Sequence, residues 1–393
     1  MNIFLIPKII DNVNLENISV KISKTRHNND NNNDNNNSNI IISKTLYKYL
    51  TDIKNQIDKY IDTWDIYKKY TNPYEYIHTI VPEKKTSVSK HKPLSRSFYK
   101  FIEICNTFNI LPEKHETINS FHLAEGPGGF IEAIIHLHNN ENDNYIGMTL
   151  QSNNPDIPGW KKSQDFLRKH KNISLENGPK KNGDLFELEN LEYCYKEYKN
   201  KFDIVTGDGG FDFSINFDNQ EQQSSKLIFA QILFALCTQK QGGIFIIKFF
   251  DTFTKISLDM LYILSSYYKT VNIIKPNTSR MANSEKYVVC EGYKNNNYSL
   301  IEYFIKIYPR IIDKDYSLIS ILNLSLPYYF INKIEDYNAI LGQQQIENIN
   351  STINKIINKD TGQDNIKELI SINVTKCVNW CTRHNISISN NFV

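Results

Sequence analysis

Between residues 119 and 293 the chain alternates short apolar runs with segments of helical spacing, and that alternation constrains its fold more than anything else in the sequence. Residues 121–124, 145–150, 202–206 and 244–248 read as strands. Helical spacing covers 129–137, 222–238 and 257–267. Strands joined by helical crossovers assemble into a doubly wound α/β sheet with helices on both faces. Gly242 and Gly243 read as the break between helix 222–238 and the strand that follows. The last two strands, 270–275 and 286–292, have no helix between them, so an antiparallel hairpin is expected to close the sheet.

Outside that core the pattern changes. From 43 to 70 the residues Leu46, Leu50, Ile53, Ile57, Trp64 and Tyr67 recur near one helical face, which predicts a single helix ended by Asn72-Pro73. Residues 300–393 read mainly as helices, most clearly at Ile346, Ile349, Ile353 and Ile356. Three segments follow: an N-terminal helical extension over 1–90, a sheet domain over 91–298 and a C-terminal helical extension over 299–393. Residues 27–39, HNNDNNNDNNNSN, have no apolar surface to bury and are expected to form a disordered loop.

Net charge excludes little. With 45 basic and 43 acidic residues the balance is +2, so any surface for nucleic acid must be local. The densest basic run, Lys84 to Lys100, is a candidate RNA path. Six scattered cysteines fit reduced thiols rather than a disulfide framework. The apolar start lacks a basic region and a cleavage site, and no stretch reaches the roughly 18 apolar residues of a membrane helix. A soluble, intracellular chain is expected, with nucleus, cytoplasm and viral factory all open. Cys377, Cys381 and His384 have the wrong spacing for a zinc knuckle, and no metal site is expected. His122, inside the first strand, reads as a hydrogen-bonded core histidine.

Four short motifs carry chemistry. Glu125-Gly126-Pro127-Gly128-Gly129-Phe130 forms a glycine turn between strand and helix, where backbone approaches a ligand at the carboxyl edge of a sheet. Its acid suits a cation and would repel a pyrophosphate. Asp208 follows the strand 202–206 and faces the same edge, although Asp-Gly is also an ordinary turn. Lys248 ends a strand that is otherwise apolar, where a lysine is costly to bury unless paired. A lysine taken out of water beside a second cation holds its proton less tightly, which is what a base needs. Asp184, in Asn-Gly-Asp-Leu-Phe, is a turn residue or an adenine contact. The polar loop with Lys275, Ser279, Arg280, Asn283 and Glu285, together with Arg96, offers donors for phosphate and ribose.

Taken in order, Ser-Arg-Ser-Phe-Tyr-Lys, Glu-Gly-Pro-Gly-Gly-Phe, Gly-Met-Thr-Leu, Asp-Gly-Gly-Phe, Lys-Phe-Phe-Asp and Thr-Ser-Arg-Met-Ala-Asn-Ser-Glu-Lys-Tyr resemble FtsJ-like RNA 2′-O-methyltransferases over residues 95–294. The forms Asp-Gly-Gly and Asn-Ser-Glu lean to the cap-specific mRNA branch of eukaryotes and large DNA viruses. The resemblance implies a Rossmann-like methyltransferase sheet and S-adenosylmethionine as cofactor. That cofactor would be held by Glu125 to Phe130, Asp184 and Asp208. It also implies a catalytic tetrad of Lys100, Asp208, Lys248 and Glu285, with Lys248 as general base on the ribose 2′-hydroxyl of capped mRNA. A metal is not required, because a sulfonium is already a good leaving group. Other capping or transcription proteins are implied partners. An rRNA or tRNA 2′-O-methyltransferase and a non-catalytic RNA-binding subunit are the alternatives.

Overall fold

The computed structural model describes residues 2–24, 39–152, 154, 157–210, 220–294, 297–359 and 366–392. The Asn-rich segment expected to be a disordered loop lies, residue 39 apart, outside the described residues. In chain order the elements are β1 (Ile3–Leu5), β2 (Ile18–Lys24), α1 (Lys44–Asn55), α2 (Ile61–Tyr70), α3 (Ser97–Phe108), β3 (Asn119–Leu123), α4 (Gly129–His138) and β4 (Asn144–Met148). Next come α5 (Gln164–Lys169), β5 (Ile173–Glu176), α6 (Leu188–Glu197), β6 (Phe202–Gly207), α7 (Gln220–Thr238), β7 (Gln239–Phe249), α8 (Lys255–Tyr267), β8 (Tyr268–Ile274) and β9 (Lys286–Tyr293). The chain continues through α9 (Tyr298–Ile312), β10 (Tyr316–Leu322), α10 (Tyr328–Ile357) and α11 (Ile366–Arg383).

Eight strands form one sheet in the order β1-β8-β9-β7-β6-β3-β4-β5. From β7 to β5 every pairing is parallel, and β9, β8 and β1 are antiparallel. Side chains alternate across the sheet: Phe245, Ile247 and Phe249 enter one core and Ile246 the other. The first core is closed by α7, α8 and α9. The second is closed by α3, α4 and α11, with Cys377, Trp380 and Cys381 buried in it. Strand order reverses beside β3, since β4 lies on one side and β6 on the other. In such a sheet, ligands bind at the carboxyl ends of the strands flanking that switch. His122 is fully buried between the hydroxyls of Ser120 and Thr206, each 2.8 Å from a ring nitrogen.

Several expectations are corrected. The 43–70 segment is two helices, with a 3-10 turn at Ile57–Tyr60 between them. The tighter turn lets both halves pack on α10: Leu50 clusters with Phe253 and Ile346, whereas Ile57 and Trp64 cluster with Ile349, Ile353 and Ile356. Gly242 and Gly243 do not precede the strand; β7 runs through both, directly from the end of α7. The N-terminal extension is not only helical. Its β1 joins the edge of the main sheet, and its β2 pairs with β10, a strand in the C-terminal extension that helical spacing did not reveal.

Candidate active site

The site grows from the ends of β6 and β7. After Gly207 the chain turns through Asp208, whose N–H donates to the Leu123 carbonyl at 3.3 Å. The Gly209 N–H donates to Gln231 Oε1 of α7 at 2.9 Å. Gln231 fits so tightly that a Cβ on Gly207 or Gly209 would sit 2.7 or 2.8 Å from its Oε1. Glycine is therefore what allows the helix to fix this turn. One strand over, Lys248 Nζ donates to the Asp208 carbonyl at 2.7 Å and lies 3.3 Å from Asp208 Oδ1. The Tyr287 hydroxyl donates to the same Oδ1 at 2.9 Å.

The other half comes from α3 and the loop between β8 and β9. Lys100 Nζ reaches both carboxylate oxygens of Glu285, at 2.7 and 2.9 Å. Ser279 Oγ donates to Glu285 Oε1 at 2.9 Å. Burial pushes the Glu285 carboxyl up, but Lys100 and Lys248 nearby outweigh it and hold it down at about 2. The structure thus brings Lys100, Asp208, Lys248 and Glu285 to one place as two lysine–carboxylate pairs. Their side chains keep between 11 and 15% exposure. That is dry enough for strong electrostatics yet still open to a ligand.

Glu125 lies beside them at the carboxyl end of β3. Its Oε1 accepts the Phe130 N–H, while Oε2 is buried with no hydrogen-bond partner. Burial, reinforced by the charge of Asp208, pushes its carboxyl well above the usual range. A buried acid with one idle oxygen fits an incoming ammonium group, which would supply the missing donor and restore the charge. Gly128 has φ +106°, and a Cβ on Gly126 would sit 2.5 Å from the Gly159 carbonyl oxygen. The turn is therefore packed directly against the Gly159 backbone, which only a residue without a Cβ allows at Gly126. The donor set fits an amino-acid-like cationic cofactor. Asp184 Oδ1 accepts the Phe186 N–H at 2.9 Å in a tight turn, and its neighbour Gly183 abuts Thr149 just past β4.

Some expected contacts are reassigned. Phe130 is fully buried against Phe101, with ring centroids 4.2 Å apart, because it lies on the inner face of α4; its ring faces the core rather than the crevice. Lys275 and Ser279 are buried behind the tetrad rather than at the surface. Lys275 Nζ donates to the Asn283 and Glu285 carbonyls, at 2.7 and 2.9 Å, and so shapes the loop from inside. Asn283 is exposed, and Arg96 and Arg280 are partly exposed. Sequence reading missed Tyr287 and Gln231. Tyr287 had a signal: it stands two residues after Glu285, on the same side of an extended chain.

Residues 93–293 match the model of the FtsJ-like methyltransferase family. Among curated proteins, the chain is 32% identical over 259 residues to cap-specific mRNA (nucleoside-2′-O-)-methyltransferase 2 of Danio rerio, covering 62% of this chain and 34% of that one. It is 31% identical over 188 residues to cap-specific mRNA (nucleoside-2′-O-)-methyltransferase 1 of Trypanosoma cruzi, covering 47% of this chain and 51% of that one. A Caenorhabditis briggsae protein named as an inactive member, 1B, is 28% identical over 249 residues, covering 59% of this chain and 29% of that one. The chain thus spans between 29% and 51% of the length of these relatives.

Proposed function

We propose that this chain, which belongs to the FtsJ-like methyltransferase family, methylates the ribose 2′-hydroxyl of capped mRNA at the first transcribed nucleotide. The observation that carries this reading is the convergence of Lys100, Asp208, Lys248 and Glu285 on one partly open site beside Glu125. S-adenosylmethionine supplies an electrophilic methyl group on a sulfonium. Glu125, Gly126, Gly128 and Asp208 would hold its amino-acid end, and Asp184 lies where β4 ends. Lys248 takes the proton from the 2′-hydroxyl. The Asp208 carbonyl and carboxylate hold Lys248 Nζ in place, and Tyr287 fixes that carboxylate in turn. Glu285, ionised and gripped by Lys100, presents that lysine to the ribose. Base catalysis of this kind contributes about 10²–10⁴-fold, and orientation supplies much of the remainder.

The named cap-specific relatives support a capped substrate over rRNA or tRNA. An intact tetrad supports an active enzyme over a non-catalytic RNA-binding subunit. Methyl transfer to matched capped and uncapped transcripts, with the modified nucleotide mapped, tests all three. Transfer confined to capped RNA at its first nucleotide is expected. Equal transfer to uncapped RNA would return the rRNA or tRNA reading. Cofactor binding without transfer to any RNA would return the non-catalytic one.

A further inference from the structure

Glu75 lies outside the family-matched segment, on a short 3-10 turn, and is fully buried. Two arginines reach its carboxylate, each from an element that also carries a tetrad residue. Arg96 stands one helical turn before Lys100, at the start of α3. Arg280 shares the β8–β9 loop with Glu285. Arg280 makes a fork: Nε lies 3.1 Å from Oε2 and Nη2 lies 2.7 Å from Oε1. Arg96 Nη2 is 3.7 Å from Oε2 and also donates to the Thr278 carbonyl at 3.3 Å. Asn72 and Thr79 complete the shell, at 2.7 and 3.0 Å. Burial pushes the Glu75 carboxyl up, yet the two arginines hold it well below the usual range.

Two cations on one buried anion leave a net positive charge. Each guanidinium carries five N–H donors, and these contacts use only part of them. The two arginine side chains remain 28 and 30% exposed. A planar fork with donors to spare is suited to phosphate oxygens. We propose that Glu75 is a positioning residue that holds Arg96 and Arg280 as a two-arginine cradle for an RNA phosphodiester adjoining the acceptor ribose. This rests on the 2′-O-methyl-transfer reading. The cradle's charge serves affinity, and Glu75 serves register: it fixes where the phosphate sits relative to Lys248. A misplacement of about 1 Å at a reacting centre costs up to about 10²-fold in rate.

The test compares wild type with two variants of this 393-residue chain, using a single-stranded RNA oligonucleotide for binding and a capped transcript for turnover. In Glu75→Gln the arginine charges remain but their register is lost. RNA affinity is expected to stay within threefold of wild type, while turnover at saturating RNA falls about tenfold. In Glu75→Gln/Arg96→Gln/Arg280→Gln the whole cluster becomes neutral, so no buried charge is left unpaired. RNA affinity is expected to fall about tenfold. The slope of log affinity against log salt should flatten by about 0.7, for one phosphate neutralised on a single strand. Cofactor affinity should be unchanged in both variants. A wild-type salt slope in the triple variant, or wild-type turnover in Glu75→Gln, overturns the cradle. Should Glu75→Gln fail to fold, the slope of the triple variant decides. Failure of the wild type to methylate any RNA would sink the methyl-transfer reading itself, an outcome distinct from either.

Discussion

Lys248 and Lys275 are both lysines within reach of Glu285, and their surroundings give them opposite work. Lys248 keeps part of its surface open and pairs with Asp208, so Lys248→Ala removes the proposed base. Transfer should fall by about 10²–10⁴-fold while cofactor affinity, read by calorimetry, stays near wild type; retained turnover would refute the assignment. Lys275 is sealed inside. Burial pushes its ammonium down to about 7, against the pull of Glu285. The unfolded chain keeps that proton up to about pH 10.4. Between those values the unfolded state binds more protons, so stability rises with pH. Urea denaturation at pH 7 and pH 9.5 should show wild type gaining on Lys275→Met by on the order of a few kcal/mol. A parallel pH response in both proteins would refute it. At this scale the gathering of Lys100, Asp208, Lys248 and Glu285 in one place was legible through the order of their motifs and the family these resemble, not from any one residue alone. The sequence was not legible where the partner was distant. Glu75 sits in a tyrosine-rich turn, and nothing local marks it as the anchor of arginines 21 and 205 residues away.

Among elements, the glycine turn after β3 tolerates little change. A Cβ on Gly126 would meet backbone, the Gly159 carbonyl oxygen, which cannot rotate away as a side chain can. Gly126→Ala should therefore spread the turn and weaken S-adenosylmethionine binding at least tenfold, measured by calorimetry, with the far-ultraviolet spectrum unchanged; wild-type affinity would show that the turn does not border the cofactor. The second half of β7 was readable because it is buried on both faces and Ile244 to Ile247 run as a continuous apolar stretch. The glycines of β7 misled because glycine usually ends an element; here Gly242, at φ +82°, is accommodated within a long strand near the sheet's end. Strands β2 and β10 were missed because they form a two-stranded ribbon whose partners are remote, and helical spacing is a poor guide to strands of that kind.

For the whole molecule, the described chain is tied together across its length. Phe4, Ile6 and Val13, near the start, are buried in the same core as α7 and α8, and β1 covers the edge of β8. Deleting residues 2–24 would expose that edge and strip β10 of its partner, leaving unpaired strand backbone of the kind that seeds association. A lower thermal midpoint and concentration-dependent aggregation by light scattering are expected; a monomer of wild-type stability would show the ribbon and edge strand to be dispensable. None of the helices among the described residues is long and apolar enough to cross a membrane. The pairing of β2 with β10 also sets a timetable. Ile18 leaves the ribosome roughly 300 residues ahead of its partner Leu322, and at about 5–20 residues per second that interval is roughly 15–60 s. For that time β2 has nothing to pair with, and β1 waits almost as long for β8, so the nascent chain needs a holding chaperone or must keep β2 unfolded until synthesis has passed β10.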